Sequence, residues 1–394
     1  AELHHMRKGK KGDSRSPLAG PDEIEQFLTT QAEFRKNVIT GKEEMRHPDT
    51  REFVELTDRL VNSLWSRMTK EGHTVRLCDV HSVLESEFVP EFNPFVQYFR
   101  SLPEWDGTTD YIGQLAATVH VEGDAELFDN CFRKWLVATV ASLMVKEVTN
   151  HEILVLVGRQ GCYKTTWLAH LLPPELQRYF YVRSNNNRLT KDDNLALSEF
   201  ALICLEEIDE LRQSELNQLK ALVTLPAVNE RRAYAHYKEN RPHIASFCGT
   251  TNHSEFLNDP TGSRRFLCVE VQSKINCEGI EHDQIYAQLK NELQKGERHW
   301  FASAKEEAIM RSNEAFYKRP IEEDVFHACF RAACPGNLNV NAAVKPMSSK
   351  SSLALKSLQL LICQHGDNRL SIRGQVRVRT REQGGDQMIH LFQG

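Results

Sequence analysis

The run Ile153-Leu154-Val155-Leu156-Val157 is unbroken in its apolar character and stops at Gly158-Arg159-Gln160-Gly161-Cys162-Tyr163-Lys164-Thr165-Thr166. Such a run reads as a strand buried on both faces, because neither face alternates to polar, and a glycine turn ends it. Turn glycines let backbone N–H groups curl inward toward phosphate oxygens, and a helix that starts just after offers its positive end to the same anion. In that P-loop arrangement Gly158, Gln160, Gly161, Cys162, Tyr163 and Thr166 wrap a triphosphate, Lys164 reaches its β- and γ-phosphates, and Thr165 holds Mg²⁺. The usual spacing places glycine before the lysine, and here Tyr163 stands instead. The bland alternative is an ordinary strand–turn–helix.

Downstream context favours the sharper reading. Ala201-Leu202-Ile203-Cys204-Leu205 is a second buried-strand pattern, and it ends in Glu206-Glu207-Ile208-Asp209-Glu210. Phosphoryl chemistry needs one acid to orient Mg²⁺ and one to polarise the attacking water, so Glu206 is assigned to the metal and Glu207 to the water. The alternative is a solvated acidic helix start. A third strand, residues 244–248, runs into Gly249-Thr250-Thr251-Asn252, where the Asn252 amide is placed to hold the water or sense the terminal phosphate. Thr-Thr-Asn also suits a plain turn or helix cap. Arg264 and Arg265 then precede a strand over 267–271, and paired guanidinium groups suit the spread charge of a transferring phosphoryl group, or form a surface pair.

The phrases Gly158-Arg159-Gln160-Gly161…Lys164-Thr165-Thr166-Trp167, Leu205-Glu206-Glu207-Ile208-Asp209, Gly249-Thr250-Thr251-Asn252 and Asp259-Pro260-Thr261-Gly262-Ser263-Arg264-Arg265-Phe266 together resemble the virulence-associated protein E family, ATPases of mobile elements related to superfamily 3 helicases. Ser101-Leu102-Pro103-Glu104-Trp105-Asp106-Gly107-Thr108 matches the lead-in to that family's ATPase. The likeness covers residues 95–330 well, the N-terminal part loosely and the last stretch poorly. It implies an AAA+/superfamily 3 helicase-like P-loop NTPase core, ATP and Mg²⁺ as cofactors, DNA as partner, and a ring that is hexameric. In such a ring Arg264 or Arg265 is the finger that reaches an adjacent subunit's ATP.

Composition agrees with a globular protein of two or three domains: 394 residues, 40% hydrophobic and 26% charged. The ten cysteines never form a C-x-x-C pair, which points to reduced thiols rather than a disulfide framework or a zinc site. Apolar runs fall short of the roughly 18 residues of a membrane helix, and no signal-peptide pattern is visible, so a cytoplasmic protein without membrane contact is expected. The net charge of −5 argues against a uniformly basic coat for nucleic acid. The ends are nevertheless basic: the first nineteen residues hold five Lys/Arg against two acids, and residues 345–394 hold eight against three. Basic ends on an acidic body suit local contact with a phosphate backbone, and equally suit plain solubility.

Periodicity and breaks divide the chain into a disordered basic tail over 1–20, a mainly helical domain over 21–148, the P-loop core over 149–275, a helical extension over 276–335 and a small basic C-terminal module over 336–394. Helices are expected from Pro21, over 53–68, over 126–148, over 283–295 and over 304–315, with a strand and turn at 37–42. Residues 179–182 supply a further strand, so five strands alternate with helices as in a mostly parallel α/β sheet, whose ligands bind beyond the strands' carboxyl ends. In the last module a helix over 353–363 and a strand over 375–379 fit a winged-helix DNA reader or, equally, a charged edge strand.

Between the two acids and Asn252, the segment 229–242 mixes cations with aromatics. In superfamily 3 helicases a hairpin at this place projects into the ring channel. Tyr234 and Tyr237 are placed to stack on bases, with His236, Lys238, Arg231, Arg232 and Arg241 meeting phosphates, although Arg231 or Arg241 also suits the nucleotide or a neighbouring subunit. A solvated hairpin with cross-strand tyrosines is the alternative. The sequence thus predicts an ATP hydrolase of helicase or translocase type, acting on DNA in the replication of a mobile element. A regulatory ATPase switch without unwinding, or a non-catalytic nucleotide-binding scaffold, remains open.

Overall fold

The computed structural model describes residues 17–183, 191–230, 238–257, 263–318, 370–372, 376–383 and 386–393. Contacts divide the chain into two units, one of Ala1–Ser254 with Thr261–Glu314 and the other of Glu255–Pro260 with Ala315–Gly394.

In the first unit, α1 (Pro21–Gln31) starts with proline and two acids in its first turn, which suits the positive end of a helix. It is followed by β1 (Glu33–Asn37), β2 (Lys42–Arg46), β3 (Val54–Glu55), α2 (Asp58–Lys70), α3 (Leu77–Leu84) and β4 (Glu91–Phe92). The strands form a small sheet in the order β3-β2-β1-β4, with β1 and β2 a hairpin turned at Gly41. Leu28, Leu64, Met68 and Val80 from the three helices pack with Phe34 and Met45 from the hairpin as a satellite core. The N-terminal region carries helices, as expected, and adds a small four-stranded sheet whose β1–β2 turn falls at the strand and turn expected over 37–42. The strands flanking that turn are hard to read at full length because β1 reads Glu-Phe-Arg-Lys-Asn and β2 reads Lys-Glu-Glu-Met-Arg, with almost no apolar alternation. The predicted 53–68 helix begins later, at Asp58, where Thr57 accepts from the Leu60 backbone as N-cap.

Next come α4 (Pro94–Ser101), α5 (Tyr111–Ala117), β5 (Val121–Glu122) and the twenty-residue α6 (Ala125–Met144). The main sheet is built from β6 (Ile153–Val157), then, past α7 (Lys164–Ala169), β7 (Phe180–Arg183), and, past α8 (Lys191–Glu199), β8 (Leu202–Leu205). After α9 (Gln213–Val223), the pair β9 (Ala227–Glu230) and β10 (Glu239–Pro242) forms an antiparallel hairpin stem. Then β11 (Ser246–Thr251) and β12 (Phe266–Val271) complete the sheet, and α10 (His282–Gln294) and α11 (Ser303–Ser312) follow. The sheet order is β5-β12-β6-β11-β8-β7, parallel throughout except for β5 at one edge. The described chain is thus mixed α/β with a mostly parallel sheet, as the alternation of strands and helices predicted.

Every residue of β6 is at most 1% exposed, which explains its continuous apolar run. Trp135 and Phe132 of α6, Trp167 of α7, Phe95 and Phe99 of α4 and Tyr179 pack with Leu154 and Leu156 in one continuous core. A buried polar pin sits in the same region: Asn150 donates to the Trp135 carbonyl, to Thr139 Oγ1 at 3.2 Å and to Ser246 Oγ at 3.0 Å, tying α6 to β11. Among the described residues no helix is long and apolar enough to cross a membrane.

The second unit holds residues on both sides of the break expected at 336. Asn313 is anchored on the Ser263 and Phe266 carbonyls within the first unit, while the Phe316 carbonyl accepts from the backbones of Phe256 and Leu257. Its described strands β13 (Leu370–Ile372), β14 (Val376–Gln383) and β15 (Asp386–Gln393) form an antiparallel meander. Residues 376–379 of the strand expected over 375–379 fall within β14; the helix expected over 353–363 and residues 1–16 of the tail expected over 1–20 lie outside the described residues, while Ala19 is buried and its N–H donates to the Thr74 carbonyl.

Candidate functional site

The strand β6 is first in the parallel set, yet it lies between β11 and β12, which are the last two. The connections that leave the carboxyl ends of β6, toward β7, and of its neighbour β11, toward β12, therefore run in opposite directions, the switch point at which open α/β sheets bind ligands. The turn after β6 rests on two glycines. Gly158 has φ +155°, and a Cβ there would stand 2.9 Å from the Val271 carbonyl; its N–H donates to the Thr251 carbonyl at 3.1 Å. Gly161 has φ +83°, which glycine adopts without strain. Cys162 is buried, and its carbonyl accepts from the Ile275 backbone, whereas Gln160, Tyr163 and Thr166 are exposed.

Lys164 turns back into this loop. Its Nζ donates to the Gly158 carbonyl at 2.6 Å, the Arg159 carbonyl at 2.9 Å and Asn252 Oδ1 at 3.1 Å. Burial lowers the Lys164 pKa, while the oxygens around it favour the charged form. On the next residue Thr165 Oγ1 donates to Glu206 Oε1 at 3.1 Å. Glu206 follows β8 directly, half-buried, and Glu207 is exposed with φ 52°, a left-handed conformation that reorients the chain at the strand tip. Lys164, Thr165, Glu206 and Asn252, assigned from sequence, thus meet across three neighbouring strands at one edge of the sheet.

One interaction was not singled out from the sequence. Thr251 Oγ1 donates to Asp209 Oδ1 at 2.6 Å and receives the His253 N–H, locking the tip of β11 to the segment after β8. The second threonine of Thr-Thr-Asn and the acid of Glu-Glu-Ile-Asp were the only signal.

Other predicted residues lie apart. Phe266 pairs in register with Ile153, so Arg264 and Arg265 stand at the amino ends of the strands, about 20 Å along β12 from the Gly158 turn at a strand rise of about 3.3 Å per residue. Arg264 pairs with Glu306 at 3.4 Å, and Arg265 lies near His151 and Glu152. The hairpin expected between the acids and Asn252 has its stem in β9 and β10. Arg231, Arg232, Tyr234, His236 and Tyr237 lie outside the described residues, and Lys238 is exposed at the start of the returning arm. Arg241, expected at DNA or, alternatively, at the nucleotide or a neighbouring subunit, is engaged within the chain. It is only 9% exposed and pairs with Glu199 at 3.2 Å, because its place on β10 turns it under the stem toward α8.

Fold and site define an α/β protein with a lysine-centred polar cluster at the switch point of a mostly parallel sheet. The virulence-associated protein E-like domain matches residues 99–318, more than half of the chain, and the protein belongs to that family. Among solved structures, the chain is similar to the A form apo structure of the NrS-1 C-terminal region at 14% identity and TM-score 0.47, covering 95% of this chain and 100% of that one. A second apo structure of the same region matches at 13% identity and TM-score 0.46, covering 95% and 99%. No curated protein matches the sequence.

Proposed function

We propose that this protein is a MgATP-hydrolysing ATPase of a mobile element that acts on DNA during replication, as a ring of helicase or translocase type. The observation that carries the reading is the convergence of Lys164 with Asn252 and of Thr165 with Glu206 at the carboxyl edge of β6, β11 and β8. A lysine held among oxygens at a glycine turn suits a phosphate chain. The hydroxyl–carboxylate pair offers hard oxygen donors, which fits Mg²⁺, an ion that keeps several waters and takes few protein ligands. When bound, Mg²⁺ neutralises charge on the β- and γ-phosphates.

This chain's own residues do the rest. Lys164 exchanges its carbonyl partners for phosphate oxygens, Asn252 is released to face the terminal phosphate, and Glu207 accepts the proton of the attacking water. Arg264 and Arg265, at the far end of the sheet, serve a neighbouring copy's triphosphate rather than their own. This placement supports the ring. The hairpin on β9 and β10, with Lys238 exposed and its stem pinned by Arg241 and Glu199, meets single-stranded DNA.

The test is ATP turnover with and without single-stranded DNA. Lys164→Ala is expected to lose nucleotide binding, and Glu207→Gln to bind MgATP while losing nearly all turnover. Normal turnover by Glu207→Gln would overturn the water assignment and turn attention to Glu206 or Asp209.

A further inference from the structure

We propose that Tyr163 is the platform on which the nucleobase of the bound triphosphate stacks, with Lys274 closing the opposite face of its ring. The proposal rests on the nucleotide reading above and extends it to the other end of the ligand.

The direction of the ligand follows from the sheet. The Thr165–Glu206 pair and Asn252 place metal and terminal phosphate on the β11 and β8 side of Lys164. The α-phosphate, sugar and base must then trail toward the other neighbour, β12. On that side the segment following β12 folds against the glycine turn: the Ile275 N–H donates to the Cys162 carbonyl at 3.1 Å, and Cys277 Sγ lies 4.0 Å from the Tyr163 carbonyl. Lys274 Nζ stands 5.6 Å from the centroid of the Tyr163 ring. A cation on one face of an aromatic ring is favourable in itself, and it leaves the other face for a second planar group.

Tyr163 is 51% exposed. It also takes φ 63° and ψ 26°, a left-handed conformation that glycine adopts freely and tyrosine does not. A phosphate cradle needs only the backbone at this position. A strained, exposed ring there gains its use from a flat partner, and the ligand supplies one on this side.

Stacking is tolerant of base identity because every base has a π-face. Because the larger purine face overlaps the ring more, Tyr163 confers a modest preference for purine over pyrimidine triphosphates, without the sharp discrimination that buried hydrogen bonds give.

The experiment is calorimetric titration of the full chain with MgATP, MgGTP, MgCTP and magnesium tripolyphosphate. The variants are Tyr163→Gly, Tyr163→Phe, Lys274→Ala and Lys164→Ala. Tyr163→Gly is expected to lose about tenfold in MgATP affinity, since loss of one base stack costs of that order. Its purine preference should collapse, its tripolyphosphate affinity should stay within about twofold of wild type by the same conversion, and its melting temperature should rise as backbone strain is relieved. Tyr163→Phe should keep ATP affinity, and Lys274→Ala should lose a smaller part. Equal or tighter ATP binding by Tyr163→Gly, or equal losses for ATP and tripolyphosphate, would overturn the platform while leaving the nucleotide reading intact. Tripolyphosphate binding unaffected by Lys164→Ala, or no binding of either ligand by wild type, would overturn the nucleotide reading and the platform with it.

Discussion

Removing the carboxylate of Glu44 should loosen the N-terminal sheet from the main α/β core. Glu44 lies on β2 with no exposed side chain. It accepts from Arg35 at 2.7 Å, from Asn37 Nδ2 at 3.0 Å and from Arg178 of the turn before β7. Asn37 and Arg178 also donate to the hydroxyl of Tyr179, at 2.8 and 2.9 Å, and the Tyr179 ring packs on Phe95 with centroids 4.9 Å apart. One carboxylate thus fastens two layers. Burial by itself would raise its pKa, but the hydrogen bonds from Asn37, Arg178 and Arg35 outweigh burial and hold it below the ordinary value near 4.5.

Breaking a buried pair by deleting one partner costs about 3–5 kcal/mol. Here the arginines are 23% and 40% exposed, and Arg35 keeps its stacking on Phe53 and Phe92, so both retain some solvation or contact. The lower end follows: about 3 kcal/mol for Glu44→Ala and about 2 kcal/mol for Glu44→Gln, which keeps shape but loses charge. Urea unfolding at pH 7 would measure both. The sign with pH is defined, because a depressed carboxylate contributes stability above its unfolded value and loses it as pH falls through the lower folded value. The gap between wild type and Glu44→Gln should therefore be full above about pH 5 and shrink below about pH 4. Variants within about 0.5 kcal/mol of wild type at neutral pH, the range of an ordinary surface change, would refute the reasoning.

If Arg264 or Arg265 serves a neighbouring copy, subunits carrying Glu207→Gln mixed with subunits carrying an Arg264→Ala/Arg265→Ala pair should regain ATPase activity, and turnover per subunit should rise with concentration; a concentration-independent monomeric enzyme would refute this. Burial pushes the Glu152 carboxyl up to about 7, with Glu306 adding to the rise and Arg265 opposing it. A raised carboxyl favours the folded state at low pH, so stability should fall between pH 4.5 and 7, by about 2 kcal/mol after allowance for partial exposure. Glu152→Gln should flatten that slope in denaturation curves taken across the range. Lys238→Ala should weaken single-stranded DNA binding and lower its salt dependence while leaving DNA-free ATP turnover near wild type, measured by anisotropy and phosphate release.

What this sequence determined by itself is five of the six strands in the main sheet, all but the short edge strand β5, and the polar residues at their tips. A parallel strand buried on both faces favours apolar residues, and β6 and β8 are unbroken apolar runs that stop at a glycine and an acid, while β11 and β12 carry apolar stretches beside Ser246 and Glu270. For the N-terminal sheet local pattern signalled only the strand and turn at 37–42, because its short strands are mostly charged and owe their pairing to the helices packed on them. It was also blind to strand order. Only the folded sheet sets β6 between β11 and β12, brings Lys164 to Asn252 and sends Arg265 to the far end. Arg241 and Lys274 show the same limit on the scale of single side chains. Arg241, expected at DNA or at a nucleotide, is buried against Glu199, and Lys274, which no local pattern singles out, stands over Tyr163, because the direction of a long side chain depends on neighbours distant in sequence.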